Sequence, residues 1–181
     1  MVIDTSAVLA ILQDEADAPA VEAAIEKDPI RIMAAPSALE AAIVIEARHG
    51  EAGGRELDLL LHRARIEIVA FDAGQMELAR QAYRRFGKGR HGAGLNFGDC
   101  FAYALSRRSG EPLLFVGADF PQTDVAAVPV PAVDRPRPLL SDNDGEAEPP
   151  ATDPVDGSPI DPPRRQQRVA GATPRRRRSG P

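Results

Sequence analysis

The chain is predicted to adopt an α/β fold, a parallel sheet of four to five strands flanked by helices on both faces. Three observations carry that prediction. Short apolar runs at residues 1–4, 30–34, 66–71 and 113–116 alternate with longer stretches that read as helices. The first run ends in Asp4-Thr5-Ser6, a group of helix-capping residues, and the second is followed by Pro36 and Ser37, which mark a helix start. The composition then changes abruptly near residue 134, so the alternation belongs to one body and not to the whole chain.

Taken in order, Val2 and Ile3 suit a buried first strand, and Asp4 or its neighbours can cap a helix over 7–13. A helix over 18–27 precedes the strand at 30–34. Helices follow over 37–49 and 53–64, then the strand at 66–71 and a helix over 73–85. The run Phe86-Gly87-Lys88-Gly89-Arg90-His91-Gly92-Ala93-Gly94 reads as a mobile basic loop. It lacks the Gly-Lys-Ser/Thr ending of a phosphate-cradling turn. A helix over 97–108, the strand at 113–116 and a last strand near 125–128 complete the body.

Residues 134–181 are dominated by Pro, Arg, Asp, Gly and Ser and contain no aromatic residue. Such a segment cannot bury enough apolar surface to offset its ordering entropy, so the expected organisation is a folded domain over 1–133 and a disordered Pro/Arg-rich tail over 134–181. The tail holds eight of the 27 acids and nine of the 22 basic residues, which leaves the body at a net charge of −6. An acidic body is unexpected for a nucleic-acid enzyme, because phosphate neutralisation normally supplies much of the affinity. The basic residues are nevertheless clustered: no acid lies between Leu78 and Gly98, where Arg80, Arg84, Arg85, Lys88, Arg90 and His91 fall. That run is the candidate phosphate track, or else a solvated helix face. A single cysteine excludes an intrachain disulfide, and no apolar run approaches the ~20 residues that cross a bilayer. With no secretory signal legible at the start, the expected location is the cytoplasm.

Four acids sit in apolar settings: Asp4, Glu40, Asp99 and Asp119. Isolated buried carboxylates are costly unless they are paired, so four of them suggest a shared counterion. An all-oxygen cluster favours Mg²⁺ or Mn²⁺ over Zn²⁺. Two of the acids also have a purely structural reading. Asp4 can be a helix cap, and Glu40, three residues after Ser37, can close a capping box. Tyr103 and Cys100 read as core residues, and no Cys-His pair is suggested by His49, His62 and His91.

Asp4-Thr5-Ser6, Glu40, Asn96-Phe97-Gly98-Asp99-Cys100 and Gly117-Ala118-Asp119-Phe120 together resemble, in order and spacing, the motifs of PIN-domain ribonucleases, specifically VapC toxins of bacterial toxin–antitoxin pairs. The resemblance covers residues 1 to about 133. It implies a three-layer PIN-like fold and a metal-dependent endoribonuclease in which Asp4, Glu40, Asp99 and Asp119 are the acidic quartet. Asp4 and Asp99 match the members most directly tied to one or two Mg²⁺ or Mn²⁺ ions. Thr5, Ser6 and Asn96 are expected to support them, and Asp124 is close enough in sequence to stand in for Asp119. Arg80, Arg84, Arg85, Lys88 and Arg90 would position the RNA. A cognate antitoxin laid over the acidic cleft and a homodimer through helices of the N-terminal half are likewise implied. The alternative is a catalytically silent RNA- or partner-binding module of the same fold. A small-molecule phosphohydrolase, which places a second Asp two residues after the first, is disfavoured by Ser6.

Overall fold

A computed structural model describes residues 1–130; the tail expected over 134–181 lies outside the described residues. Strand β1 (Val2–Ile3) leads into helix α1 (Thr5–Leu12), and α2 (Ala18–Lys27) comes next. Strand β2 (Ile32–Ala34) continues into α3 (Ala35–Arg63), then β3 (Glu67–Val69), α4 (Ala73–Phe86), α5 (Asp99–Ser109) and β4 (Leu113–Leu114). A 3-10 turn spans Phe120–Gln122. The strands run in the order β3-β2-β1-β4 and all neighbours are parallel. The last strand expected near 125–128 is reduced to a single parallel bridge between Leu113 and Ala127.

Alternation along the short strands divides the core in two. Val2, Ala34 and Leu113 face a layer formed with Ala79, Ala82 and Phe86 of α4 and Ala102, Tyr103 and Leu105 of α5. Ile3, Met33 and Leu114 face the opposite way, onto Ala7 and Val8 of α1, Val21 and Ile25 of α2, and Ala41, Ile45 and Leu57 of α3. Because successive strand side chains point to opposite faces, a two-residue strand can serve both layers only when each residue is apolar. The three-layer expectation holds.

Two helices are expected where α3 runs, and a break does separate them. Gly50 adopts φ 62°, ψ −159° inside the helical run, a conformation open mainly to glycine. Helix α3 also begins at Ala35 rather than at Ser37, with Pro36 in its first turn. The Glu40–Ser37 capping box is therefore not formed, and Glu40 is left to point elsewhere. The basic loop is better tied down than its glycines suggest: Leu95 N–H donates to the Phe86 carbonyl and Lys88 N–H to the Leu95 carbonyl, both at 2.9 Å.

Candidate active site

Strand β1 lies at the centre of the sheet, with β2 and β4 on either side, so the chain order reverses beside it. Ligand sites in open parallel sheets form at such a point, beyond the carboxyl ends of the strands. Asp4 comes directly after β1 there, and the loop after β4 brings Asp119. The second turn of α3 delivers Glu40 and the first turn of α5 delivers Asp99.

Asp4 is 4% exposed. Its Oδ2 accepts hydrogen bonds from Ser6 N–H at 2.9 Å and from Ser6 Oγ at 2.6 Å, so it does cap α1. Both Ser6 bonds fall on Oδ2, and the Thr5 backbone N–H adds a weaker pull on the same carboxylate. Ser6 Oγ in turn accepts from Val116 N–H at 3.0 Å, which ties the cap to the segment leaving β4. Burial holds Asp4 above the ordinary carboxylate range; the Ser6 hydrogen bonds pull it down, and the charge on Glu40 adds to the rise.

Glu40 Oε2 accepts from Thr5 Oγ1 at 2.8 Å, and the Ser37 carbonyl lies 3.2 Å from the same hydroxyl. Its carboxylate rests on the backbone of Gly98: a Cβ at that position would sit 2.5 and 2.6 Å from the two Glu40 oxygens. Only glycine leaves room for that seat. Ser37 is fully buried, and its hydroxyl has no partner among the described residues.

Asp99 and Asn96 cap each other. Asn96 N–H donates to Asp99 Oδ2 at 2.7 Å, and Asp99 N–H donates to Asn96 Oδ1 at 3.0 Å, a reciprocal arrangement at the start of α5. Burial pushes Asp99 up to about 6 against the pull of the Asn96 N–H, and the charges of Asp4, Asp119 and Glu40 all contribute to the rise. Asp99 thus feels the other three acids at once. Among the described residues no three acidic, histidine or cysteine side chains close into a ligand shell, so the cluster is an open one. The donor set nevertheless fits a hard divalent cation, which usually takes only one or two carboxylates and completes its shell with water and phosphate oxygens.

Asp124 does not join the four. It accepts from Tyr103 OH at 2.7 Å and pairs with Arg85 at 2.9 Å. Of the basic run, Arg85 is occupied there and also lies over the Phe86 ring at 4.6 Å. Arg80 pairs with Glu77 at 3.3 Å, and Arg90 lies 5.7 Å from the Tyr83 ring centroid. Arg84 and Lys88 are exposed and have no ion pair among the described residues. Cys100 is buried, its Sγ 3.1 Å from the Asn96 carbonyl, and burial pushes its thiol up to about 11. Sequence reasoning missed Gly98 as the seat of Glu40 and the Tyr103–Asp124–Arg85 group. Both depend on contacts between segments far apart in the chain, and the only local sign was the glycine beside Asp99.

Carboxylates gathered over the switch point of a doubly covered parallel sheet define a class of protein that handles cationic or metal-bridged ligands at that point. Residues 1–126 match the PIN domain, and the chain belongs to that family and, within it, to the VapC ribonucleases. It is 65% identical over 128 residues to Ribonuclease VapC of Mycolicibacterium smegmatis, an alignment covering 71% of this chain and 99% of that protein. It is 62% identical over 131 residues to Ribonuclease VapC30 of Mycobacterium tuberculosis, covering 72% of this chain and all of the relative. The crystal structure of Mycobacterium tuberculosis VapC20, a sarcin-ricin loop cleaving toxin, superposes with a TM-score of 0.59 at 16% identity, over 70% of this chain and 97% of that one. That likeness supports the fold.

Proposed function

We propose that the protein is a divalent-metal-dependent endoribonuclease, the toxin of a toxin–antitoxin pair. The observation that carries this reading is the gathering of Asp4, Glu40 and Asp119 around Asp99 at one end of the sheet, where burial first and then the charges of these three acids push the Asp99 carboxyl up to about 6. Four acids that repel one another at one end of the sheet are stabilised by a cation, and a cation is what phosphodiester hydrolysis needs there. Asp4 and Asp99 would hold Mg²⁺ or Mn²⁺, with Glu40 and Asp119 completing the charge around it. When bound, the ion supplies Lewis-acid polarisation of the phosphate and activation of water.

The chain's own residues do the rest. Ser6 fixes the Asp4 carboxylate, Thr5 holds Glu40, and the Asn96 backbone N–H orients Asp99. These contacts fix the acids before a ligand arrives, so little reorganisation is left for the reaction step. Arg84 and Lys88, with Arg80 and Arg90 beside them, would carry the RNA backbone past the cleft. An antitoxin is the expected partner; a guanidinium pairing with the cleft carboxylates would compete with the cation. A homodimer is expected as well, and Leu39 and Ile43, one turn apart on α3 and each 61% exposed, are apolar surface that it would cover.

The test is cleavage of RNA by purified protein in Mn²⁺ and Mg²⁺. Asp4→Asn and Asp99→Asn should each reduce cleavage by orders of magnitude while RNA binding persists. An Asp99→Asn protein that cuts at the wild-type rate would sink the reading. A wild-type protein that binds RNA yet cuts it with neither ion would make it a binding module.

A further inference from the structure

We infer that Tyr103, Asp124 and Arg85 form a positioning staple that sets Asp119 into the acidic cleft in fixed register with Asp99. The inference rests on the reading of Asp119 as the fourth acid of the nuclease site. Asp119 lies on the segment that leaves β4, after Gly117, whose φ of +129° turns the chain. No hydrogen bond reaches the Asp119 side chain among the described residues, so its place is set by the anchoring of residues 120–124.

Three anchors fall within those five residues. Phe120 is 3% exposed, with its ring 5.0 Å from that of Phe115. Gln122 Nε2 donates to the Gly92 carbonyl at 3.2 Å. Asp124 then receives Tyr103 OH on Oδ1 at 2.7 Å and Arg85 Nη1 on Oδ2 at 2.9 Å, so both oxygens are taken by charge-assisted bonds.

The choice of Tyr103 matters because it stands on α5 one turn after Asp99, on the same helix face. The helix that presents one acid therefore also clamps the loop that presents another. Tyr103 is 3% exposed, and a buried phenol needs a partner for its hydroxyl. Burial and then the Asp124 carboxylate push that hydroxyl up to about 12, so it remains a donor. Burial alone would raise Asp124, but the hydrogen bonds from Tyr103 and Arg85 outweigh it and keep the group ionised. Arg85, from the C-terminal turn of α4, closes the staple from the other side. Its guanidinium is committed to Asp124 and is not available to RNA as Arg84 and Lys88 are.

The experiment measures Mn²⁺ binding to the full-length protein without RNA, by electron paramagnetic resonance of the free ion, beside single-turnover cleavage and thermal melting. Tyr103→Phe keeps the ring in the core and removes only the hydroxyl; Asp124→Asn keeps the shape and removes the charge. Each should weaken Mn²⁺ binding about five- to tenfold and raise the Mn²⁺ needed for half-maximal cleavage by the same factor. The rate at saturating Mn²⁺ should stay within about twofold of wild type. The double variant should be no worse than the worse single one, because the groups act as a unit. Arg85→Ala should behave like them and leave the salt slope of RNA binding unchanged, whereas Arg84→Ala lowers it by about 0.7 on single strands.

Unchanged Mn²⁺ affinity in Tyr103→Phe overturns the staple, as does a melting temperature that falls while Mn²⁺ affinity holds. An Arg85→Ala protein that loses slope as Arg84→Ala does removes Arg85 from it. Asp119→Asn is measured in parallel. If it weakens Mn²⁺ binding and the staple variants do not, the inference alone fails; if Asp119→Asn has no effect, the fourth-acid reading fails and takes the staple with it.

Discussion

Gly98 shows how much one absent atom can decide. It is the N-cap of α5, with a right-handed helical backbone at φ −64° and ψ −45°, so alanine is admissible there on conformational grounds but brings no gain in helix stability. What alanine cannot have is the space, since its Cβ would come 2.5 Å from a Glu40 oxygen. The displaced atoms are the end of a flexible side chain, so the fold can yield while the Thr5–Glu40 hydrogen bond breaks. Gly98→Ala should therefore change the melting temperature little and lower RNA cleavage ten- to a hundredfold, the order expected from a shift of about 1 Å at a reacting site. Melting and cleavage measured on one preparation check the split. A loss of both together would mean that the glycine serves packing.

Asp99 has a consequence that appears only without a cation. Its folded pKa, about 6, lies above the unfolded value near 4, so folding favours the protonated form. Stability from this group is fully present below about pH 4 and is lost as pH rises through about 6. Asp4, also raised, acts with the same sign. In chelator, Asp99→Asn should be more stable than wild type at pH 7–8, by on the order of 1 kcal/mol after allowance for solvent screening at a partly exposed group. The difference should vanish near pH 4, and Mn²⁺ should reverse it at neutral pH. Melting curves across pH 4–8 with and without Mn²⁺ settle the sign.

At the scale of elements, legibility depends on how local the signal is. Helix α2 spans the residues read for it, 18–27, because its apolar spacing and its Pro near the start are both local. The break near Gly50 was legible for the same reason. The strands came out shorter than their apolar runs: Leu113–Leu114 pairs, while Phe115 and Val116 have already turned toward the Asp119 loop. An apolar run reports burial, and burial continues past the last ladder bond. Glu40 was legible as an acid of interest, but its capping-box partner is not formed, since Pro36 lets α3 start earlier. Its true contacts, Thr5 and Gly98, lie on other elements. Likewise the basic run was legible as charge, yet nothing local distinguished Arg85, bound to Asp124, from Arg84.

At the scale of the whole molecule, the question is whether residues beyond 134 contribute to the fold. The sheet is covered on both faces by residues before that point. Val2 and Leu113 are closed over by α4 and α5, and Ile3 and Leu114 by α1, α2 and α3, with Val128 and Val130 packed at the margin of the second layer. Both faces of β1 and β4 are closed, and among the described strand residues the one apolar side chain left exposed is Ile68 of the edge strand β3, at 42%. The alignments with the two VapC relatives point the same way, since those proteins are matched over 99–100% of their length by only 71–72% of this chain. The segment after Asp134 has, besides, a composition too poor in apolar residues to add to either layer. Truncation after Asp134 should therefore shift the melting temperature by less than about 5 °C, the change that roughly 1 kcal/mol produces in a domain of this size. It should also leave the Mn²⁺ dependence of cleavage as it was, because the four acids and the staple all precede residue 125. A larger fall on truncation would show that the segment packs on the body. A weakened salt slope of RNA binding without such a fall would instead assign the four consecutive arginines, Arg175 to Arg178, to the phosphate track.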